Sequence, residues 1–139
     1  MKYLIDTNVI SEIRKGPRCD PHVTAWYQTV EPETLYVSVL VLGEIRKGIE
    51  RAKPKNLEYA NRLGEWLGRL PSVFSERVMP IDAAIADEWG RMSAGRTLAV
   101  IDGLLAATAK VHGMTLVTRN TSDVMNLGID VLNPFDRAI

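Results

Sequence analysis

The sequence predicts an α/β fold of three layers, with a mainly parallel sheet held between helices. Three observations lead there. Short apolar runs at 2–5, 35–39, 77–81 and 114–118 read as buried strands. Between them lie longer stretches whose apolar residues recur every three or four positions, the period of a helix. The two patterns alternate along the chain without internal repeat, low-complexity tract or linker, so residues 1–139 read as one domain.

The first strand runs directly into Asp6, and residues 8–14 then suit a short helix that stops before Gly16 and Pro17. Asp20 followed by Pro21 is an N-cap with proline at the first helical position, opening a helix that carries Val23, Trp26 and Tyr27. After the second strand, Val41, Leu42, Ile45 and Ile49 make one apolar stripe on a helix through Glu44 to about residue 51. Pro54 separates it from a second amphipathic stretch with Leu57, Ala60, Leu63, Leu67 and Leu70, which Pro71 is expected to end or to lie just beyond. Beyond the third strand, Asp82 is the expected N-cap of a helix with Ile85, Trp89 and Met92 on one face. Residues 98–112 form a very apolar helix with small residues at Gly103, Ala106 and Ala107. Lys110 and His112 lie in its last turn, and Gly113 ends it. A helical turn at 123–127 and an extended stretch at 131–132 follow the fourth strand.

The composition is that of an ordinary globular chain: 46% apolar and 24% charged residues in 139, enough to bury a substantial core. Seventeen basic and seventeen acidic side chains cancel, which argues against tight nonspecific binding along a long nucleic acid. A local basic rim remains compatible with RNA chemistry, and Arg46, Lys47 and Arg119 are its candidates. Cys19 is the only cysteine, so no internal disulfide forms, as suits a reducing compartment. No secretory signal or membrane-length apolar run is present, and a cytoplasmic location is the default expectation.

The chemistry is carried by acids that interrupt apolar segments. Asp6 ends a strand, Glu44 lies within VSVLVLGEI, and Asp102 lies within AVIDGLLAAT. An ionised carboxylate is seldom left in such surroundings unpartnered, and a divalent cation would compensate several at once. Each also has a structural explanation. Asp6 suits a helix cap, Glu44 a solvent-facing helical position, and Asp102 the positive end of its helix dipole. Carboxylate and water ligands suit Mg²⁺ or Mn²⁺. One cysteine and two distant histidines, His22 and His112, have no zinc spacing. Nucleophile-elbow, Walker A and dinucleotide-binding motifs are missing. In open parallel sheets ligands bind beyond the C-terminal strand ends, where Asp6 and Asn120 are expected to fall.

The segments LIDTNVISE, VLVLGEIRKG, VIDGLLAATAKVHGMTLVTRN and GIDVLNPF, in this order and spacing, resemble PIN-domain ribonuclease toxins of the VapC type, in their FitB-like branch. The resemblance runs over nearly the whole chain and is least distinctive at 53–80. It implies a PIN-like three-layer fold and an acidic pocket for Mg²⁺ or Mn²⁺, in which Asp6, Glu44 and Asp102 match the first three family acids. The fourth position, often Asp, is Asn120 here, with Asp123 three residues later. The loss of one charge favours one firmly held cation, with Asp6 and Asp102 as direct ligands and Glu44 binding directly or through water. Asn8, Thr7 and Thr118 are supporting candidates.

The activity implied is endonucleolytic cleavage of RNA by metal-activated water. The partners implied are a VapB-type antitoxin, through which alone DNA is contacted, and a second copy of the chain in a homodimer or larger toxin–antitoxin assembly. Asn120 keeps a second reading open: a catalytically weak PIN-fold module acting mainly through its antitoxin and operator complex. A phosphatase of the aspartate-nucleophile kind is disfavoured, because Thr7-Asn8 follows Asp6 where a second Asp would be needed.

Overall fold

The computed structural model describes residues 1–136; the last three residues of the expected domain, 137–139, lie outside the described residues. The strands are β1 (Tyr3–Ile5), β2 (Leu35–Ser38), β3 (Val78–Met79), β4 (Thr115–Val117) and β5 (Val131–Leu132). They form one sheet in the order β3-β2-β1-β4-β5, and every pairing is parallel. Between them run α1 (Thr7–Ile13), α2 (Pro21–Thr29), α3 (Val39–Ala52), α4 (Leu57–Phe74), α5 (Ala83–Ser93) and α6 (Val100–His112). Among the described residues, no helix is long and apolar enough to cross a membrane.

Burial along β1 requires helices on both faces of the sheet. Leu4 and Ile5 are consecutive, so their side chains leave opposite faces, yet both are at most 1% exposed. The helices meet that requirement in two groups. α1 packs with α2 and α3, and α3 with α4, while α5 packs with α6. Val41, Ile45 and Ile49 are the buried stripe of α3, and α6 buries Gly103 and every residue from Leu105 to Ala109. The expected caps form: Asp20 accepts from the His22 amide, 2.8 Å, and Asp82 from the Ile85 amide, 3.0 Å. Gly113 closes α6 in the left-handed region, φ 65°, which a side chain would strain.

Four boundaries differ from the sequence expectation. Pro71 does not end α4 but lies inside it, and the helix runs on to Phe74. Proline lacks the amide that would bond the Leu67 carbonyl, but Leu67, Leu70 and Phe74 are all buried and hold both sides of the gap against the core. Ser75, at φ 53°, ends the helix instead, and the Arg77 guanidinium secures that end by donating to the carbonyls of Val73, Pro32 and Leu35. Val39 belongs to α3 and not to the strand, because Ser38 caps the helix by accepting from the Leu40 amide at 3.1 Å. The third strand is shorter than 77–81, and the expected turn at 123–127 is a 3-10 turn at Thr121–Val124.

The tightest helix contact lies beside a candidate acid. A Cβ placed on Gly103 would meet the Trp89 ring at 2.9 Å, closer than real Cβ contacts allow. Glycine therefore sets how near α6 approaches α5. Gly103→Ala is expected to destabilise the fold by about 1–3 kcal/mol through overpacking, measured by urea denaturation. An unchanged midpoint would show that Trp89 moves aside freely.

Candidate active site

The sheet order places a topological switch beside β1. From β1 the chain moves outward one way to β2 and β3, then returns to the other side for β4 and β5. The crevice beyond the C-terminal ends of β1 and β4 is where such a fold binds ligands. Asp6 leaves β1 at that point and Thr118 leaves β4.

Asp6 is only 6% exposed, and its carboxylate is held from three directions. The Thr7 amide donates to Oδ1 at 2.7 Å, the Thr118 hydroxyl to Oδ2 at 2.7 Å, and the Asn8 side-chain amide to Oδ2 at 3.5 Å. These bonds replace the water lost on burial. Asp6 is also the N-cap of α1, so its capping and site roles coincide in one carboxylate. The supporting residues are themselves tied down. The Arg119 amide donates to Asn8 Oδ1 at 3.2 Å, and the Asn120 amide to Thr118 Oγ1 at 3.1 Å. Thr118 thus accepts from one neighbour and gives its single proton to Asp6.

Glu44 reaches the same crevice from α3. It is half-buried and is no free solvent-facing residue: the Thr7 hydroxyl donates to its Oε1 at 2.6 Å. Thr7 therefore bridges the first two acids, with its amide on Asp6 and its hydroxyl on Glu44. Asp102 stands in the first turn of α6, whose N-cap Ala99 offers no side-chain acceptor. The dipole there would favour the ionised form. Yet the Asp102 carboxyl is held above its ordinary value, first by burial and then by the negative charges of Asp6, Asp123 and Glu44. Desolvation and three like charges outweigh the helix end.

That coupling gathers four acids, Asp6, Glu44, Asp102 and Asp123, into one electrostatic neighbourhood. No positive group is among those acting on Asp102. Asn120 is exposed, and its side chain makes no capping bond, so of the two fourth-corner candidates Asp123 is the one that adds charge. Among the described residues, no group of three or more His, Cys, Asp or Glu side chains stands close enough together to hold a metal ion by itself. Separated carboxylates of this kind fit Mg²⁺ or Mn²⁺, which keep several waters and take few carboxylates directly, and do not fit zinc.

Among the described residues, Arg46 alone of the expected basic rim is spent on a carboxylate. Arg46 pairs with Glu50 at 3.6 Å, and the Arg119 guanidinium lies 4.4 Å from the centre of the Phe135 ring. A cation the sequence reading missed is Arg14. It lines a groove of about 280 Å³ that shares Thr7 and Glu44 with the acidic site, and its neighbours there, Tyr59 and Trp66, come from distant α4. No local pattern joins α1 to α4.

Comparison with known proteins agrees with the geometry. The PIN domain family matches residues 3–122. The chain is 34% identical to VapC ribonuclease Y4jK of Sinorhizobium fredii, with 97% of this chain and 99% of that protein covered. It is also 34% identical to toxin FitB of Neisseria gonorrhoeae, covering 95% and 97% respectively. Among solved structures, FitAB bound to an IR36 DNA fragment aligns with a TM-score of 0.85 at 32% identity, covering 99% of this chain and 98% of the other.

Two measurements probe the site before any activity is assayed. Thr118→Val keeps the shape but removes a donor from a buried carboxylate, so stability at neutral pH is expected to fall by about 1–3 kcal/mol in urea denaturation. A change within a few tenths would mean that the hydroxyl is dispensable to Asp6. Because Asp102 is raised in the folded chain, the fold binds more protons than the unfolded chain between the two pKa values. Its contribution therefore destabilises increasingly as pH rises through that window. Asp102→Asn should accordingly raise the melting temperature of metal-free protein near neutral pH and flatten this part of the pH profile. A lower melting temperature for the variant would contradict the repulsion.

Proposed function

Because the chain belongs to the VapC/FitB family of PIN-domain ribonuclease toxins, we propose that it is a metal-dependent endoribonuclease, the toxin of a type II toxin–antitoxin pair. The observation that carries this reading is the uncompensated group of four carboxylates at the switch point of the sheet, three of which raise the fourth.

In this reading Asp6 and Asp102 contact the cation directly, and Glu44 does so directly or through water. Asp123 supplies the fourth negative charge, and Asn120 donates its backbone amide to Thr118 and accepts from the Asp123 amide at its carbonyl. When bound, Mg²⁺ or Mn²⁺ acidifies water and offsets the charge that develops on the phosphodiester. The chain's own part is to hold the oxygens still. Thr118, Thr7 and Asn8 lock the orientation of Asp6. Thr7 aims Glu44. Asp102 contributes a carboxylate whose charge burial and the neighbouring acids make costly until a cation arrives.

The substrate class is RNA, and the partner is an antitoxin of the VapB kind through which the assembly reaches operator DNA. The similarity to FitAB, solved on DNA, supports this partner. A homodimer within a larger toxin–antitoxin complex completes the proposed assembly.

The test is induction of the chain in bacteria beside its Asp6→Asn variant, with RNA ends mapped from both cultures. Growth arrest and new RNA ends are expected only from the unmodified chain. In purified form the variant should cleave about 100-fold more slowly or worse, the scale on which loss of one electrostatic stabiliser acts. Indistinguishable RNA ends from two equally abundant proteins would leave the interaction-module reading in its place.

A further inference from the structure

The groove between α1, α3 and α4 has two chemically different ends. At one end are Thr7 and Glu44 of the acidic site; at the other are Arg14, Tyr59 and Trp66. Arg14 lies at the C-terminal cap of α1. Its guanidinium is 5.8 Å from the Tyr59 ring centre and 5.6 Å from that of Trp66, so two rings fix its position through their faces.

Three helix cations are spent on carboxylates one helical turn away, Arg46 on Glu50, Arg62 on Glu58 and Arg91 on Asp87, and Lys15, just past α1, is spent on Glu12. Arg14 takes part in none of the ion pairs among the described residues. Glu44 lines the same groove but is engaged by Thr7. Aromatic rings contact a guanidinium without consuming its in-plane N–H donors, which suit the paired oxygens of a phosphate. Tyr59 is itself 37% exposed, and the solvent-exposed Arg62 guanidinium also lies over its ring, 6.0 Å from the centre, where a stacking base would displace it.

We propose that this groove is a subsite for single-stranded RNA, in which Arg14 holds a backbone phosphate beside the scissile one and Tyr59 stacks a base. The assignment rests on the ribonuclease reading and extends it to how the substrate is positioned. A flexible RNA strand satisfies both ends at once: one phosphate goes to the cation site, its neighbour to Arg14, and an unstacked base to the ring. Arg14 is a binding and positioning residue, held ready by the two rings.

The experiment measures anisotropy of a short fluorescein-labelled single-stranded RNA of mixed sequence, over a range of salt and with EDTA present so that cleavage is suspended. The proteins are the full chain and its Arg14→Gln, Arg14→Lys, Tyr59→Ala and Arg91→Gln variants. Arg14→Gln is expected to weaken binding about tenfold and lower the salt dependence by about 0.7 in log–log slope, the value for one phosphate contact on a single strand. Arg14→Lys should restore the slope without all of the affinity, because it keeps the charge and loses the planar fork. Tyr59→Ala should weaken binding about tenfold with the slope unchanged. Arg91→Gln, on α5 away from the groove and paired with Asp87, should bind as the unmodified chain does.

With Mg²⁺ added, the Arg14→Gln defect should fall mainly on KM. A purely structural role for Arg14 would lower the melting temperature but leave the salt slope alone, and that result overturns the proposal. So does failure of the unmodified chain to bind RNA. So does an Arg14→Gln variant that binds RNA normally while losing its antitoxin, which would assign the groove to a protein partner. Normal RNA binding without any cleavage would instead refute the ribonuclease reading and leave the subsite standing.

Discussion

Asp6 must keep a carboxylate at the end of the central strand, where almost no water reaches it, and the rest of this end of the molecule is arranged around that demand. The hydroxyl of Thr118, the amide of Thr7 and the side chain of Asn8 share the task. Each comes from a different local geometry: the end of β4, the start of α1, and a side chain that is itself held by the Arg119 amide. One buried acid thereby stitches two neighbouring strand ends to the first helix. Thr7 extends the same network to Glu44 and α3. A polar network of this kind is stable only when every member is satisfied, which explains why small hydroxyl residues stand at both positions 7 and 118.

Charge is distributed against the local interest of the fold. A helix start normally benefits from an acid, and Asp102 occupies the first turn of α6. Burial and the proximity of Asp6, Asp123 and Glu44 reverse that benefit and raise its carboxyl. Such local conflict, set within otherwise consistent packing, is characteristic of sites where stability yields to chemistry. Gly103 follows Asp102 and admits the Trp89 ring, so the height of the acid over the crevice depends on close packing between α5 and α6. On the other side of the site the balance changes sign, because Arg14 and its two rings adjoin the acids across a shared groove.

Much of this was legible residue by residue. Burial of consecutive residues in β1, β2 and β4, the caps at Asp20 and Asp82, and the glycine after α6 are local features. Local rules therefore found them, and the alternation of strands with helices then implied a parallel sheet. Pro71 misled because the rule that proline ends helices counts the lost hydrogen bond but not the burial of Leu67, Leu70 and Phe74 around it. The strand boundary at Val39 depended on a serine cap that propensity alone does not reveal.

The sequence by itself determined the fold class and the family resemblance, and it singled out Asp6, Glu44 and Asp102, because apolar runs make an isolated carboxylate conspicuous. Only the tertiary structure decided how those acids are held and which residue adds a fourth charge. Asp123 acts on Asp102 through space, from a 3-10 turn to a helix start, whereas Asn120 is neutral and adds no charge wherever it stands. The same holds for Arg14, whose aromatic neighbours lie more than one helix away in the chain and meet it only when α1 and α4 are folded onto one sheet. The carboxylate cluster could be suspected from single residues placed in apolar segments; its supports and its neighbouring groove arise from contacts between segments, which no local pattern encodes.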